Sequence, residues 1–270
     1  MYKISKKLYA RLSLGIKKFQ RILESASTRD VNESDTVTII VDILSDVLGY
    51  DRYEEITKEY RIRGTYCDLA TTINKKINLL IEVKAIGIEL KDVHSKQAVD
   101  YASNQGLDWV ILTNGRHWKV YKVLFSKPIM QDLVYDFNFL KLNSRNKKDV
   151  ELLFTLSKEG SIKSSLQLYQ DQKQALNRFY LGALLLSDNY LNYIKRDLRK
   201  LSPDIKIDTI EIKEVLQSGL FKREVVESEK MLGAVKKIGR LSLKKSKLTK
   251  QTFNESSENN TDIINFKEIS

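Results

Sequence analysis

The apolar pattern of the chain predicts an α/β fold, a mixed sheet flanked by helices over about residues 28–142, with helical sequence on its C-terminal side. Three observations carry this. A helix-spaced stretch at 36–48 precedes two alternating apolar stretches that end at Ile73 and Lys84 and are joined by Asn74-Lys75-Lys76. Residues 90–105 contain neither Pro nor Gly and read as a helix. The continuous apolar run from Trp109 to Thr113 then suits a strand buried on both faces. Helices and strands in this order bury their apolar faces best as helix layers on a sheet.

Taken in order, Ile4, Leu8, Leu12, Ile16, Phe19 and Leu23 recur at three- and four-residue spacing, an amphipathic helix within residues 1–27. Residues 28–33 supply capping groups for the helix at Thr36–Leu48, and Gly49 closes it. Glu33 falls in that helix's first turn, where interaction with the helix dipole is the structural reading. Tyr53–Arg63 alternates as an edge strand that turns at Gly64. In the hairpin that follows, Leu69, Ile73, Ile77, Leu79, Ile81 and Val83 are expected on the core face. Asp68, Ala70, Thr72, Asn78, Leu80, Glu82 and Lys84 are expected on the other. Asp68 lies beside Glu82 only if the loop is odd, most simply Asn74 to Lys76; a two-residue loop would separate them. Gln97 and Tyr101, four apart, share one face of the 90–105 helix. Asn114-Gly115 makes a turn, Trp118–Phe125 a strand and Leu133–Phe139 a further edge strand. Residues 143–228 form a helical extension broken at Pro203, with Asp208 as a helix N-cap, and no chemistry stands out there. Residues 229–270 are basic, then polar, and are expected to be disordered. Their basic run reads equally as a solvated segment and as a DNA tether.

Composition narrows the function classes. The net charge of +11 and pI near 9.4 favour a polyanionic partner, nucleic acid before membrane. One cysteine, Cys67, excludes an internal disulfide framework and points to a reducing, cytoplasmic setting. With two histidines, His94 and His117, no four-ligand Cys/His zinc site can be built in one chain and a His-based hydrolase loses support; both histidines read as surface or turn residues. No apolar run approaches the about 18 residues of a membrane span, and Lys and Arg interrupt the N-terminus too often for a secretory signal. No Gly-rich phosphate loop followed by Lys-Ser or Lys-Thr occurs, so the sequence carries no recognisable ATPase motor.

The chemistry is concentrated in Cys67–Lys84. An Asp, a Glu and a Lys gathered on one sheet face are costly to hold unless a metal or an anionic ligand offsets the cost. Asp68, thirteen intervening residues, Glu82, Val83 and Lys84 give the pattern Asp, spacer, Glu-x-Lys. Preceded by a helix carrying Glu33 and followed by Gln97-Ala98-Val99-Asp100-Tyr101, this resembles the PD-(D/E)XK nuclease superfamily. More narrowly, Asn32–Tyr121 resembles the N-terminal nuclease domain of type I restriction enzyme R subunits. The residues that carry it are Asn32-Glu33, Leu48-Gly49-Tyr50-Asp51, Asp68, Ile81-Glu82-Val83-Lys84-Ala85, Gln97 to Tyr101, and Thr113-Asn114-Gly115 followed by Trp118. Cys67 stands where the superfamily name has proline, and the missing motor limits the resemblance to the domain.

The resemblance implies a restriction-endonuclease-like fold and a Mg²⁺- or Mn²⁺-dependent DNA endonuclease. Asp68, Glu82 and the Val83 carbonyl would be the metal ligands, with Glu33 available to complete the shell. Lys84 would contact the scissile phosphate and orient the attacking water, and Gln97 and Tyr101 would hold the site's edge and the DNA backbone. These are hard oxygen donors of the kind Mg²⁺ takes. The alternative from a different class is a catalytically silent DNA-binding or accessory module working with other restriction or defence subunits. A structural α/β protein with solvated Asp, Glu and Lys is the third reading.

Overall fold

The computed structural model describes residues 3–62, 65–204 and 206–240. Among them two compact units divide between Gln170 and Asp171. The expected turn at Gly64 and the chain from residue 241 onward, with the end of the basic run and the polar tail, lie outside the described residues.

The first unit begins with α1 (Lys6–Thr28), capped by the Ser5 side chain, which accepts from the Leu8 N–H. Its buried stripe is Leu8, Leu12, Ile16, Phe19 and Leu23, five of the six residues whose spacing predicts the helix. α2 (Glu33–Asp42) starts earlier than the periodicity suggests because Asn32 caps it, Oδ1 accepting from Asp35 N at 2.9 Å. It widens into a π turn at Ile43–Val47, and Gly49 follows at φ 81, a conformation open to glycine.

Six strands follow in spatial order β1 to β6: β1 (Ile56–Ile62), β2 (Thr65–Ile73), β3 (Lys76–Val83), β4 (Trp109–Thr113), β5 (His117–Leu124) and β6 (Met130–Asn138). β1 and β6 are the edges, as the alternating sequences at 53–63 and 133–139 predict. Only β3 and β4 run parallel, because α3 (Asp92–Asn104) carries the chain between them; every other neighbour pair is antiparallel. Both faces are covered. Leu69, Leu79, Ile81, Ile111, Trp118 and Val120 pack with α1 and α2 on one face. Ala70, Leu80, Val110, Leu112, Tyr121 and Val123 pack with Ala98, Val99 and Ala102 of α3 on the other.

The hairpin differs from expectation in one instructive way. Its loop has two residues, Asn74 and Lys75, both at positive φ (52° and 62°), with Ile73 paired to Lys76. On loop parity alone Asp68 and Glu82 would face apart. The ladder instead shifts by one between Thr71 and Thr72: Thr72 pairs with Ile77 but Thr71 pairs with Leu79, so Asn78 is the surplus residue of a β-bulge. The odd residue exists, but it sits in the strand rather than in the loop. Ile77 consequently packs toward the α3 face, opposite to its expected side, while Leu79 and Ile81 keep theirs.

Asn78 is held where it bulges. Its Nδ2 donates to the Tyr50 hydroxyl at 3.0 Å and to Ser161 Oγ at 3.1 Å, and those two hydroxyls are 3.0 Å apart. Ser161 belongs to α5 (Lys158–Ile162), which follows α4 (Lys147–Leu156); Val150, Leu153, Phe154 and Leu156 of α4 join the first core. Burial pushes the Tyr50 hydroxyl pKa up to about 12, so it stays protonated. α6 (Ser165–Ala175) adds Tyr169, stacked on Tyr135 of β6 at 4.4 Å.

The second unit is helical: α7 (Arg178–Leu185), α8 (Asp188–Leu201), α9 (Thr209–Val215) and α10 (Arg223–Val226). Asp208 caps α9, reciprocally with Glu211, as its position predicts. A small core of Phe179, Ala183, Val225, Met231 and Ala234 holds the unit; residues 229–240, expected to be disordered, are instead helical, because Met231 and Ala234 give that stretch an apolar face to bury. Among the described residues no helix is long and apolar enough to cross a membrane.

If Asn78 is the surplus residue, deleting it leaves a regular two-residue hairpin with the same pairing beyond it. In a Cys67→Ala background, an Asp68→Cys/Glu82→Cys pair is then expected to close a disulfide on oxidation both with and without Asn78, read by intact mass and non-reducing peptide maps. Loss of the cross-link in a folded deletion variant would place the irregularity elsewhere.

Candidate active site

Continuing the register from Leu69↔Ile81 by one residue sets Asp68 of β2 opposite Glu82 of β3, where β3 ends. Asp68 Oδ2 accepts from the Val83 N–H at 2.7 Å. Glu82 is 2% exposed. Its Oε1 accepts from Lys84 Nζ at 2.8 Å, while its Oε2 is buried and, among the described residues, has no hydrogen-bond partner. Lys84 Nζ also lies 3.9 Å from Glu33 Oε2. The Asp, Glu and Lys singled out by sequence are therefore gathered, joined by the Glu33 that the family resemblance implies, with the Lys84 ammonium between the Glu82 and Glu33 carboxylates.

Each comes from an element fixed by packing. Lys84 N donates to Thr113 O at 2.8 Å, so the end of β3 is bound to the end of β4. The chain leaving Lys84 is tied down by Asn114, whose Nδ2 donates to Ile88 O at 2.7 Å. The Asn114 Oδ1 accepts from the N–H groups of Arg116 and His117, which shapes the turn. Gly87 passes so close to Asp30 that a Cβ there would collide with its carboxylate. This contact brings the connection before α2, and thus Glu33, against the loop after Lys84. Asn114 reads from the sequence only as a turn residue, because a brace between two loops leaves no periodicity to detect.

The electrostatics follow from burial. Desolvation raises the Asp68 pKa, against the opposing Val83 N–H bond and the Lys84 charge, with Glu33 adding to the rise. Desolvation likewise raises that of Glu82, reinforced by Asp68 and opposed by Lys84. For Lys84, burial lowers the pKa, but the hydrogen bond to Glu82 and the charges of Glu82, Glu33 and Asp68 together outweigh it and raise the pKa. Lys84 is thus a held ammonium in this arrangement.

Gln97 Nε2 donates to the Tyr101 hydroxyl at 2.9 Å along one face of α3. Among the described residues neither is hydrogen-bonded to Asp68, Glu82, Lys84 or Glu33. His94, in the first turn of α3, accepts from Lys91 N at its Nδ1 (3.3 Å) and lies in the field of Lys84 and Glu33. It therefore stands nearer the charged set than its sequence position suggests. His117 opens β5 beside Asn138, a turn-proximal position as expected.

Among the described residues no group of three or more His, Cys, Asp or Glu side chains is arranged to hold a metal ion. The donor chemistry nonetheless suits a hard divalent cation: the partnerless Glu82 Oε2 is a buried acceptor that only a cation or a donor would satisfy, and Asp68 is directly across the strand pair.

A raised carboxylate pKa has a stability consequence of definite sign. The neutral acid is favoured in the folded state, so its contribution is complete below the unfolded value, about 3.9, and is lost as pH rises through the folded value. Without divalent cations, Asp68→Asn is expected to melt close to wild type at pH 3 and progressively higher than wild type from pH 4 to 7. Calorimetry across that range checks it, and a wild type that gains on the variant as pH rises would contradict the desolvation account.

No curated protein and no solved structure matches the chain. Residues 33–134, from the first residue of α2 into β6, match the family model of the type I restriction enzyme R protein N terminus.

Proposed function

We propose that the first unit is a Mg²⁺- or Mn²⁺-dependent DNA endonuclease centred on Asp68, Glu82 and Lys84. The observation that carries this reading is the buried, partnerless Glu82 Oε2 beside Asp68 and Lys84, inside the segment matched by a restriction-enzyme family. Asp68, Glu82 and the Val83 carbonyl would hold the cation, with Glu33 completing its shell. Bound there, it would supply charge neutralisation at the phosphate and a water of lowered pKa.

The chain's own groups do the rest. Lys84, protonated and 17% exposed at its side chain, presents a cation to the scissile phosphate and a donor to the attacking water. With the Glu82 and Asp68 charges neutralised, Lys84 Nζ would be released from Glu82 and left to donate to the substrate. Gln97 and Tyr101 position the DNA backbone along α3. The net charge of +11 supports association with the polyanion, and the cytoplasm is the compartment this reading requires.

The second reading, a silent DNA-binding or accessory module working with other restriction or defence subunits, draws on the Lys84–Glu82 ion pair. Such a pair can be a resting structural contact.

Incubation of duplex DNA with Mg²⁺ separates the two. Wild type is expected to cut, with Glu82→Ala and Lys84→Ala slower by about a hundredfold or more and EDTA abolishing the reaction. Salt-dependent binding without cutting favours the accessory module, and equal cutting by all three proteins identifies a contaminant.

A further inference from the structure

His94, Gln97 and Tyr101 stand at positions i, i+3 and i+7 of α3, one stripe of the helix. The stripe's far end is closed by the Gln97–Tyr101 bond. Its near end is His94, and here the tautomer is constrained. Nδ1 accepts the Lys91 N–H, so the neutral ring carries its proton on Nε2. Among the described residues Nε2 of His94 has no hydrogen-bond partner. The ring is half-buried, and Lys84 and Glu33 are among the few charges that act on it.

We propose that His94 is a further substrate-contacting residue, its Nε2–H donating a hydrogen bond to a phosphate oxygen of the strand held at Lys84. This rests on the nuclease reading above and extends it along the helix: Lys84, His94, Gln97 and Tyr101 form one track for a phosphodiester backbone. A phosphate oxygen suits this position because it accepts from a neutral donor beside an ammonium, where a second cation would be repelled. No proton is transferred. Both the neutral and the charged imidazole keep a hydrogen on Nε2, so the contact survives protonation of the ring.

The capping role can be separated from the contact. A Gln at this third helical position can satisfy the Lys91 N–H through its Oε1 and still offer Nε2–H. Glu keeps the cap and loses the donor, and Ala loses both. Cleavage with Mg²⁺, DNA affinity in EDTA and melting temperature are measured on the full chain as wild type, His94→Gln, His94→Glu and His94→Ala.

The expected result is His94→Gln within about threefold of wild type and both His94→Ala and His94→Glu lower by about tenfold or more in cleavage, with His94→Glu melting like wild type. Cleavage by His94→Ala equal to wild type, or His94→Gln as impaired as His94→Ala, overturns the inference. Should wild type bind DNA and fail to cut, the nuclease reading fails and the His94 contact is judged on affinity alone. There, weaker binding by Ala and Glu than by Gln supports the contact, and equal binding by all four proteins overturns it.

Discussion

The contact on which the rest depends is the ion pair between Lys84 Nζ and Glu82 Oε1, 2.8 Å long and formed by a carboxylate that is 2% exposed. An ionised carboxylate withdrawn from water costs several kcal/mol unless it is paired and hydrogen-bonded. Lys84 satisfies one oxygen and leaves the other bare. A protein selected for stability alone would place an apolar residue between Leu80 and Lys84 on this face. Keeping an acid there, across from a second half-buried acid, is the pattern expected where a site rather than a core is being maintained.

The architecture concentrates its constraints on that spot. β3 and β4 are the sheet's parallel pair, and their C-terminal ends are locked together by the Lys84 N–H on Thr113 and braced by Asn114 on Ile88. Open α/β sheets characteristically bind ligands outside the carboxyl ends of their parallel strands. Three elements then converge: β2 brings Asp68, α2 brings Glu33, and α3 starts close enough for His94 to feel the charges of both Lys84 and Glu33.

Much of this could be read from residue order because the signals were local. The apolar spacing of Leu8 to Leu23, the continuous run at 109–113 and the alternation of Trp118, Val120, Tyr121 and Val123 each answer to one helix or strand, and each holds. Glu82 and Lys84 share a face by strand geometry alone. The bulge at Asn78 was not legible in the same way. It is stabilised by Tyr50 and Ser161, residues 28 and 83 positions away in the chain, and a two-residue turn with both residues left-handed looks from sequence like any Asn-Lys-Lys loop. His94 escaped for a similar reason. Its proximity to the charged set depends on where the first turn of α3 lands relative to the end of β3, a tertiary fact that a lone histidine does not announce.

The central claim is that Asp68 and Glu82 form a divalent-cation site, and counting bound Mn²⁺ by electron paramagnetic resonance tests it without requiring a substrate. The account predicts one class of saturable site per chain, lost in both Asp68→Asn and Glu82→Gln while the fold persists by circular dichroism. Binding that is absent from the wild type, or that survives unchanged in both variants, would contradict it.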